Sequence, residues 1–398
     1  MIIKPFRAIR YKTDLKNMVS PPYDTIDYSL KMKLESKSPH NVVRLILPEG
    51  ENRYENAGKL FHKWIDEKVL LQDSDRSIYS YQSFYKINDN VRSMKGILAI
   101  FKLSEFKKGV IMPHEKTFSA PKADRLNLIK ACSANLSPVL GLYRSSKNAA
   151  IDLDALIQNS IILDEFSTDD GIGHRFYSLS DADLIEQSMN ILKNYSVIIG
   201  DGHHRYETAL NYQKFMTQKG VSIANGHNWI LMFLVDMSGN NISLLSINRM
   251  ISGINLNKFK AVLSEFFDFS EPIHFNDNHS ALLVTDGKRS YAVTAKHKAV
   301  KFLDDLGISD VEKKIPTVIV DKLIAGFLLK DKDVKIEYYG DDKHVKIEEN
   351  SVFIKLHPVK YEIIENAVNN NYTMPQKSTF FYPKVPTGLV INRLDQNV

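Results

Sequence analysis

Cysteine is almost absent from this chain. Cys132 is the one thiol in 398 residues, so an intramolecular disulfide, a Cys-based zinc site and a CxxC redox pair are excluded. Long apolar runs are missing too. Trp229 to Val235 is the longest, which suits a buried strand and falls well short of the roughly 20 residues a spanning helix needs. The first residues, Met1-Ile2-Ile3-Lys4-Pro5-Phe6-Arg7, lack the apolar core of a signal peptide, so a cytoplasmic protein is expected. Neither a repeat nor a low-complexity tract occurs. GxxxxGK[ST], HExxH and GxSxG do not appear, and Gly171-Ile172-Gly173 runs into His174-Arg175 without completing GxGxxG. P-loop kinases, zincins, α/β-hydrolases and Rossmann dehydrogenases are therefore disfavoured. Surplus charge is small as well. Lys plus Arg number 52 against 47 Asp plus Glu, a net +5, which does not call for a nucleic-acid partner.

What remains is ordinary globular composition, 43% hydrophobic and 25% charged, enough for about two or three domains' worth of core. Tyr54, Ala57, Leu60, Phe61, Trp64 and Ile65 recur at helical spacing, so 54–67 reads as an amphipathic helix. Ser77–Ile87 and Met94–Leu103 are β-rich runs joined by the polar Asn88-Asp89-Asn90, a hairpin signal. Residues 125–134 read as a short helix with Asp124 as N-cap. Trp229–Met237 and Ile242–Ile247 suggest a second hairpin around Ser238-Gly239-Asn240-Asn241. Ala281–Val284 and Tyr291–Ala295 read as strands, as do 334–339 and 351–356. Residues 256–268, 316–330 and 359–369 read as helices. Strands and helices interleave without β-α-β-α regularity, so the expected class is α+β with a mixed sheet. Seams near 105–121, 144–152 and 220–227 suggest two closely packed regions, 1–145 and 146–398.

The strongest local signal for chemistry is Gly200-Asp201-Gly202-His203-His204-Arg205. A strand ends, Gly200 and Gly202 allow a tight turn, and a helix begins. A helix N-terminus offers unpaired backbone N–H groups and a partial positive charge, which is an anion site. His203, His204 and Arg205 add donors there, and Arg205 can grip a phosphate through two parallel bonds. Asp201 can hold Mg²⁺ or take a proton from a hydroxyl. A plain surface turn with a His-rich cap is the bland alternative. Adjacent His203 and His204 diverge on a helix, which argues against one shared metal ion.

Other clusters join the list of candidates. His114-Glu115-Lys116-Thr117, followed by Lys122 and Arg125, mixes acid and base chemistry in one loop, with Glu115 a candidate base. Ser20-Pro21-Pro22-Tyr23-Asp24 is a rigid turn presenting Tyr23 and Asp24. Lys377-Ser378-Thr379, before Tyr382-Pro383-Lys384, has phosphate-binding residue types without a P-loop frame.

Taken in order, Lys4-Pro5-Phe6-Arg7-Ala8, Ser20-Pro21-Pro22-Tyr23-Asp24, His40-Asn41-Val42-Val43-Arg44-Leu45, Pro113-His114-Glu115, Asn135-Leu136-Ser137-Pro138-Val139, the Asp201 turn through Ala209 and Met374-Pro375-Gln376-Lys377-Ser378-Thr379 resemble the DUF1015 family over nearly the whole chain. The Asp-Gly-His-His-Arg segment is also similar to the phosphate-binding turn of free-serine kinases of the ParB/sulfiredoxin fold. That resemblance implies a ParB/sulfiredoxin-like nucleotide-binding core. It implies a small-molecule kinase passing a phosphoryl group from ATP or ADP, with Mg²⁺, to a free amino-acid hydroxyl, L-serine first. Asp201 would be the catalytic and metal-binding residue; those kinases also use a Glu base from a separate segment, for which Glu115 is the candidate in this chain, with no motif aligning it. Gly200, Gly202, His203, His204, Arg205, Lys377, Ser378 and Thr379 would hold the nucleotide. Tyr23, Asp24, His114, Lys122 and Arg125 would hold the acceptor. One departure stands out. Ser246-Ile247-Asn248-Arg249 replaces an expected Pro-Thr-His-Arg, so Asn248 takes the place of a His. The alternatives are a nucleotide-binding regulator of ParB-like fold without phosphotransferase activity, and a metal-dependent hydrolase using His114, Glu115, Asp201, His203 and His204.

Overall fold

The computed structural model describes residues 1–87, 89–117, 119–146, 150–221, 226–239, 241–271, 282–330, 332–340 and 345–397. Asn88, Asn240, Ala281 and parts of the seams at 105–121, 144–152 and 220–227 lie outside the described residues. The chain divides into two compact units. One comprises Met1–Pro113, Thr117–Ser243 and Pro383–Val398, and the other His114–Lys116 and Leu244–Tyr382.

The first unit is built on a nine-stranded mixed sheet. Its order runs Ile111–Pro113, Val197–Asp201, Val139–Tyr143, Trp229–Asp236, Asn90–Lys102, Ile78–Ile87, Gly173–Leu179 and Ile161–Ser167, with Ile3–Lys4 also on Asn90–Lys102. Two pairings are parallel, Val197–Asp201 with Ile111–Pro113 and Trp229–Asp236 with Val139–Tyr143. The sequence division at 145/146 runs through this sheet, because Val139–Tyr143 and Val197–Asp201 are neighbours in it.

Trp229–Asp236 is buried along its whole length, as expected of an uninterrupted apolar strand, whose side chains gain by leaving water on both faces. Both of its edges are taken, by Asn90–Lys102 and Val139–Tyr143. The expected hairpin between it and 242–247 therefore does not form. The first expected hairpin does form, pairing Ile78–Ile87 with Asn90–Lys102. Helix Arg53–Asp66 buries Ala57, Phe61 and Trp64, the stripe its spacing announced. Gly58 sits where an added Cβ would lie 2.5 Å from the Ala131 carbonyl oxygen, so a missing side chain lets helix Ser119–Cys132 pack close. That helix starts earlier than its apolar pattern suggests, and Asp124 lies inside it rather than capping it.

The second unit has a six-stranded antiparallel sheet in the order Phe267–Ser270, Ser290–Ala295, Leu282–Thr285, Ser351–Lys355, Asn248–Ser252 and Lys335–Tyr339. Its core joins Phe259 and Leu263 of helix Leu256–Leu263, Ala299 and Leu303 of helix His297–Asp305, and Val320, Leu323 and Ile324 to Val284, Val293, Val352 and Ile354. The helix expected over 256–268 stops at Leu263 and gives way to strand Phe267–Ser270. That over 316–330 is interrupted by a π-helical turn, Val320–Ala325.

Candidate functional site

The turn after Val197–Asp201 is fixed by packing on both sides. Val197 and Ile199 are fully buried, and the ladder to Val139–Tyr143 shifts register between Ile199 and Asp201, which turns the strand end outward. An added Cβ on Gly200 would meet Leu142 at 2.8 Å, so Gly200 serves close strand packing. Gly202 has φ +85, a left-handed conformation that glycine adopts without cost. Helix His203–Gln218 starts there and is anchored by buried Tyr206, Ala209 and Leu210. Its first N–H groups stand at the end of the strand, next to Asp201.

Three charges meet at this turn. The Asp201 carboxylate accepts from Arg205 Nη2 at 2.6 Å and from Lys384 Nζ at 2.9 Å. Arg205 Nη1 donates to the Pro138 carbonyl, and the guanidinium lies over Gly202, where a Cβ would come within 2.8 Å of Nε. Burial alone raises the Asp201 pKa, but Lys384 and Arg205, with His203 beside them, outweigh it and hold the carboxyl well below the usual range. Asp201 is thus a fixed negative charge at any neutral pH, suited to holding cations and poorly suited to taking a proton. His203 is buried at the first turn of the helix and His204 is half-buried.

A second layer of the first unit borders this turn. Arg125 stacks its guanidinium 4.2 Å from the Tyr23 ring centroid, and donates to Asp124 Oδ2 and to the Ile46 carbonyl. Asp124 also accepts from Tyr54. Burial pushes the Tyr23 hydroxyl pKa up, Asp24 pushes the same way, and Arg205 and Arg125 pull it back. Asp24 itself is exposed. Lys122 does not stand free for an anion: its Nζ is 2.7 Å from Glu207 Oε2, and Thr117 donates to the same carboxylate. Tyr23, Arg125 and Arg205 share the wall of a cavity of about 60 Å³.

His114, Glu115, Lys377, Ser378 and Thr379 come together in the second unit. Met374 pairs with Glu115 along the backbone. Lys377 takes a φ of 57, so the N–H groups of Lys377, Ser378 and Thr379 converge as an anion nest. Its anion is the Glu115 carboxylate. Oε2 accepts from Lys377 N at 3.2 Å, and Oε1 from Ser378 N at 3.1 Å, Thr379 N at 2.9 Å and Thr379 Oγ1 at 2.8 Å. The N–H groups that the residue types assigned to a nucleotide phosphate are thus occupied by the chain itself. Glu115, expected as a base, has both oxygens engaged. His114 is fully buried, with Nε2 2.7 Å from Thr379 Oγ1.

Arg249 is buried over the Tyr338 ring at 4.6 Å and donates to the Lys377 carbonyl at 3.1 Å. It braces the nest. Asn248, the residue standing where a His was expected, accepts through Oδ1 from Leu356 N at 3.0 Å. Its role is structural: it satisfies a buried backbone donor.

Sequence reasoning missed Lys384 as the partner of Asp201, since 183 residues separate them. Only its place beside Tyr382-Pro383, in a cluster already singled out, pointed toward it. Among the described residues, no three His, Cys, Asp or Glu gather to hold a metal ion, so the donor set a hydrolase would need is not assembled there. No described helix is long and apolar enough to cross a membrane.

Mixed sheet, α+β architecture and a charge-laden strand-to-helix turn define the class. Within that class the chain belongs to the family described as protein of unknown function (DUF1015), whose model matches residues 3–311. The 374–379 motif and Lys384 lie beyond that match. No curated protein matches the chain. Among solved structures, it is similar to SbnI with a C-terminal truncation from Staphylococcus aureus, at TM-score 0.41 and 11% identity, covering 74% of this chain and 86% of that one. A conserved hypothetical protein from Pyrococcus furiosus is similar at TM-score 0.37 and 15% identity, covering 74% and 95%. A free serine kinase variant in complex with ADP is similar at TM-score 0.37 and 13% identity, covering 74% and 95%. These are remote likenesses.

Proposed function

We propose that the protein is a small-molecule kinase with a ParB/sulfiredoxin-like core, passing a phosphoryl group from ATP or ADP to the hydroxyl of a free amino acid, L-serine before others. The observation that carries the proposal is Asp201 clamped between Arg205 and Lys384 at the N-terminus of helix His203–Gln218. Phosphoryl transfer through a loose transition state asks the protein chiefly for position and charge neutralisation. The turn supplies both. Helix N–H groups, Arg205, Lys384, His203 and His204 are the donors to phosphate oxygens. Asp201 fixes the two cations while the site waits.

A Mg²⁺ ion arriving with a nucleotide needs few protein ligands, because phosphates and waters fill most of its shell. Asp201 is the carboxylate that would hold it, and the ion would neutralise charge on the transferring group. In the reaction the bond from the terminal phosphorus to its bridging oxygen breaks, a bond to the serine hydroxyl oxygen forms, and the hydroxyl proton leaves. Glu115, expected as the proton acceptor, has both oxygens held by the Lys377–Thr379 nest of the second unit, so the proton is assigned to solvent water. Asp201 is held too far down in pKa to take that role at rest.

The experiment is incubation of the full chain with ATP or ADP, Mg²⁺ and a panel of free amino acids, read by phosphorus NMR and mass spectrometry. O-phosphoserine is expected, and Asp201→Asn should abolish it while far-UV circular dichroism stays unchanged. No phosphorylated amino acid with either donor overturns the kinase assignment.

A further inference from the structure

The first motif of the chain, Lys4-Pro5-Phe6-Arg7-Ala8, supplies no residue to the Asp201 turn, and its arginine stands in a cationic crevice elsewhere on the first unit. Phe6 and Ser77 exchange both backbone hydrogen bonds, at 3.0 Å each, in an antiparallel bridge. That register sets Arg7 against Arg76. On the other edge of the same segment Ile9 bridges Ile391, also antiparallel, and two residues further along both chains Arg393 comes opposite Arg7. The backbone is pinned on every side. Phe6, Ala8, Ser77 and Asn392 are buried, and the Gly226 N–H donates to the Gln396 carbonyl at 2.8 Å. Arg7, Arg76 and Arg393 line one crevice with Gln396 and Asn397, and its enclosed volume is about 20 Å³. Its charges are not balanced. Arg393 is neutralised by Asp395, which accepts from Nε and Nη2. Asp73 is engaged by Arg10 and Tyr79, and Asp75 accepts from Ser74 Oγ. Among the described residues, the guanidinium groups of Arg7 and Arg76 have no ion pair and no hydrogen-bond acceptor. Like charges set opposite each other on paired strands are destabilising. A fixed backbone that keeps two bare guanidiniums side by side, with a third next to them, is arranged for an anion.

We infer that this crevice binds a free phosphate dianion, either inorganic phosphate or the phosphate end of a small monoester. The enclosed space has room for about one water-sized group, so one oxygen enters and the rest of the anion stays at the mouth, between the guanidiniums. Each planar guanidinium fork matches a pair of phosphate oxygens. Two uncompensated positive charges favour a dianion over a monoanion. Arg7 and Arg76 are exposed, so binding is weak and falls with salt. The inference does not rest on the kinase assignment, since the crevice shares no residue with the Asp201 turn.

The test is titration of the full chain followed by NMR of the arginine Nε–H signals, with those of Arg7, Arg76 and Arg205 assigned from Arg7→Gln, Arg76→Gln and Arg205→Gln. Inorganic phosphate, sulfate, glycerol phosphate and sodium chloride are compared at equal ionic strength. Phosphate and sulfate are expected to move the Arg7 and Arg76 signals together, with one dissociation constant, and chloride to leave them in place. R76Q should weaken the response of Arg7 about 3- to 10-fold, the worth of a charged hydrogen bond discounted for exposure. The Arg205 signal reports the Asp201 turn separately, and R76Q should leave its response unchanged. Should R76Q fail to fold, the comparison of phosphate with chloride on the parent chain still decides. Arg7 and Arg76 signals that stay still in phosphate and sulfate, or move as far in chloride, overturn the inference. A single-stranded RNA oligomer binding there more tightly than either phosphate probe assigns the surface to nucleic acid and overturns it as well. Glycerol phosphate binding more tightly than inorganic phosphate supports the site with a monoester as its ligand, and the reverse order supports it with inorganic phosphate. The site and the kinase assignment fail separately, because phosphoserine formation is measured without these signals.

Discussion

Removing Lys384 is the sharpest perturbation of the site, because Lys384 balances a charge that the fold has already committed. In Lys384→Met the side chain keeps its length and loses its ammonium. Asp201 then retains Arg205, with His203 beside it. Breaking a buried ion pair by removing one partner costs about 3–5 kcal/mol. Asp201 and Lys384 keep 19% and 17% of their side-chain surface exposed, so water recovers part of the loss, and about 2 kcal/mol is expected. For a unit of this size that is a fall in melting temperature of about 4–8 °C. The companion change Asp201→Asn leaves Arg205 and Lys384 facing each other without a counter-charge. The double variant should be less damaged than the sum of the two, with a coupling of about 1 kcal/mol or more.

The pH dependence follows from the depressed Asp201 pKa. A carboxyl held below its unfolded value contributes stability that is complete above pH of about 4 and is lost as pH falls through the folded pKa. K384M should shrink that acid-sensitive share. Thermal melts of the four proteins at pH 7 and at pH 3 read it directly. If the single effects at pH 7 add within about 0.4 kcal/mol, the cluster is not energetically coupled and the account of Asp201 as a clamped charge is wrong.

Two further predictions concern other groups. His174 lies between Tyr81 and Thr168 and stacks on Phe166, and burial lowers its pKa from 6.5 to about 4, with Asp170 opposing. It is neutral in the folded state, so its contribution is whole above pH 6.5 and is lost as pH falls toward 4, by up to about 3 kcal/mol. An imidazole NMR titration should show no transition above pH 5, and a midpoint near 6.5 would refute this. Glu115→Gln puts an amide where a carboxylate accepts from three backbone N–H groups, so it should cost about 1–3 kcal/mol in urea unfolding. A variant as stable as the parent would mean that the nest does not depend on its anion.

Legibility in the sequence followed the range of the interactions. Helix Arg53–Asp66 and the strand-to-helix turn at Asp201 were readable because spacing and two glycines settle them locally. The hairpin at 229–247 misled because a fully apolar strand pairs with whichever partners the whole sheet offers, and those came from residues 90–102 and 139–143. At the candidate sites, residue types marked where charge gathers but could not name its partners. Lys122 was spent on Glu207, and the Lys377–Thr379 nest was filled by Glu115, more than 260 residues away in the chain. Lys384, the cation that matters most to Asp201, lay in a cluster already singled out, but nothing local named Asp201 as its partner across 183 residues.

The discontinuity of the first unit also orders events in time. Lys384 belongs to its returning segment, which emerges only after residues 244–382. At a synthesis rate of about 5–20 residues per second, the nascent unit waits roughly 7–28 s between Ser243 and Pro383. During that interval Asp201 has Arg205 but no lysine, and Ala134–Asn135 lacks its partner strand Asn392–Arg393. The Asp201 turn is therefore among the last parts to be completed on the ribosome, and a chain interrupted anywhere in residues 244–382 would carry it without its second cation.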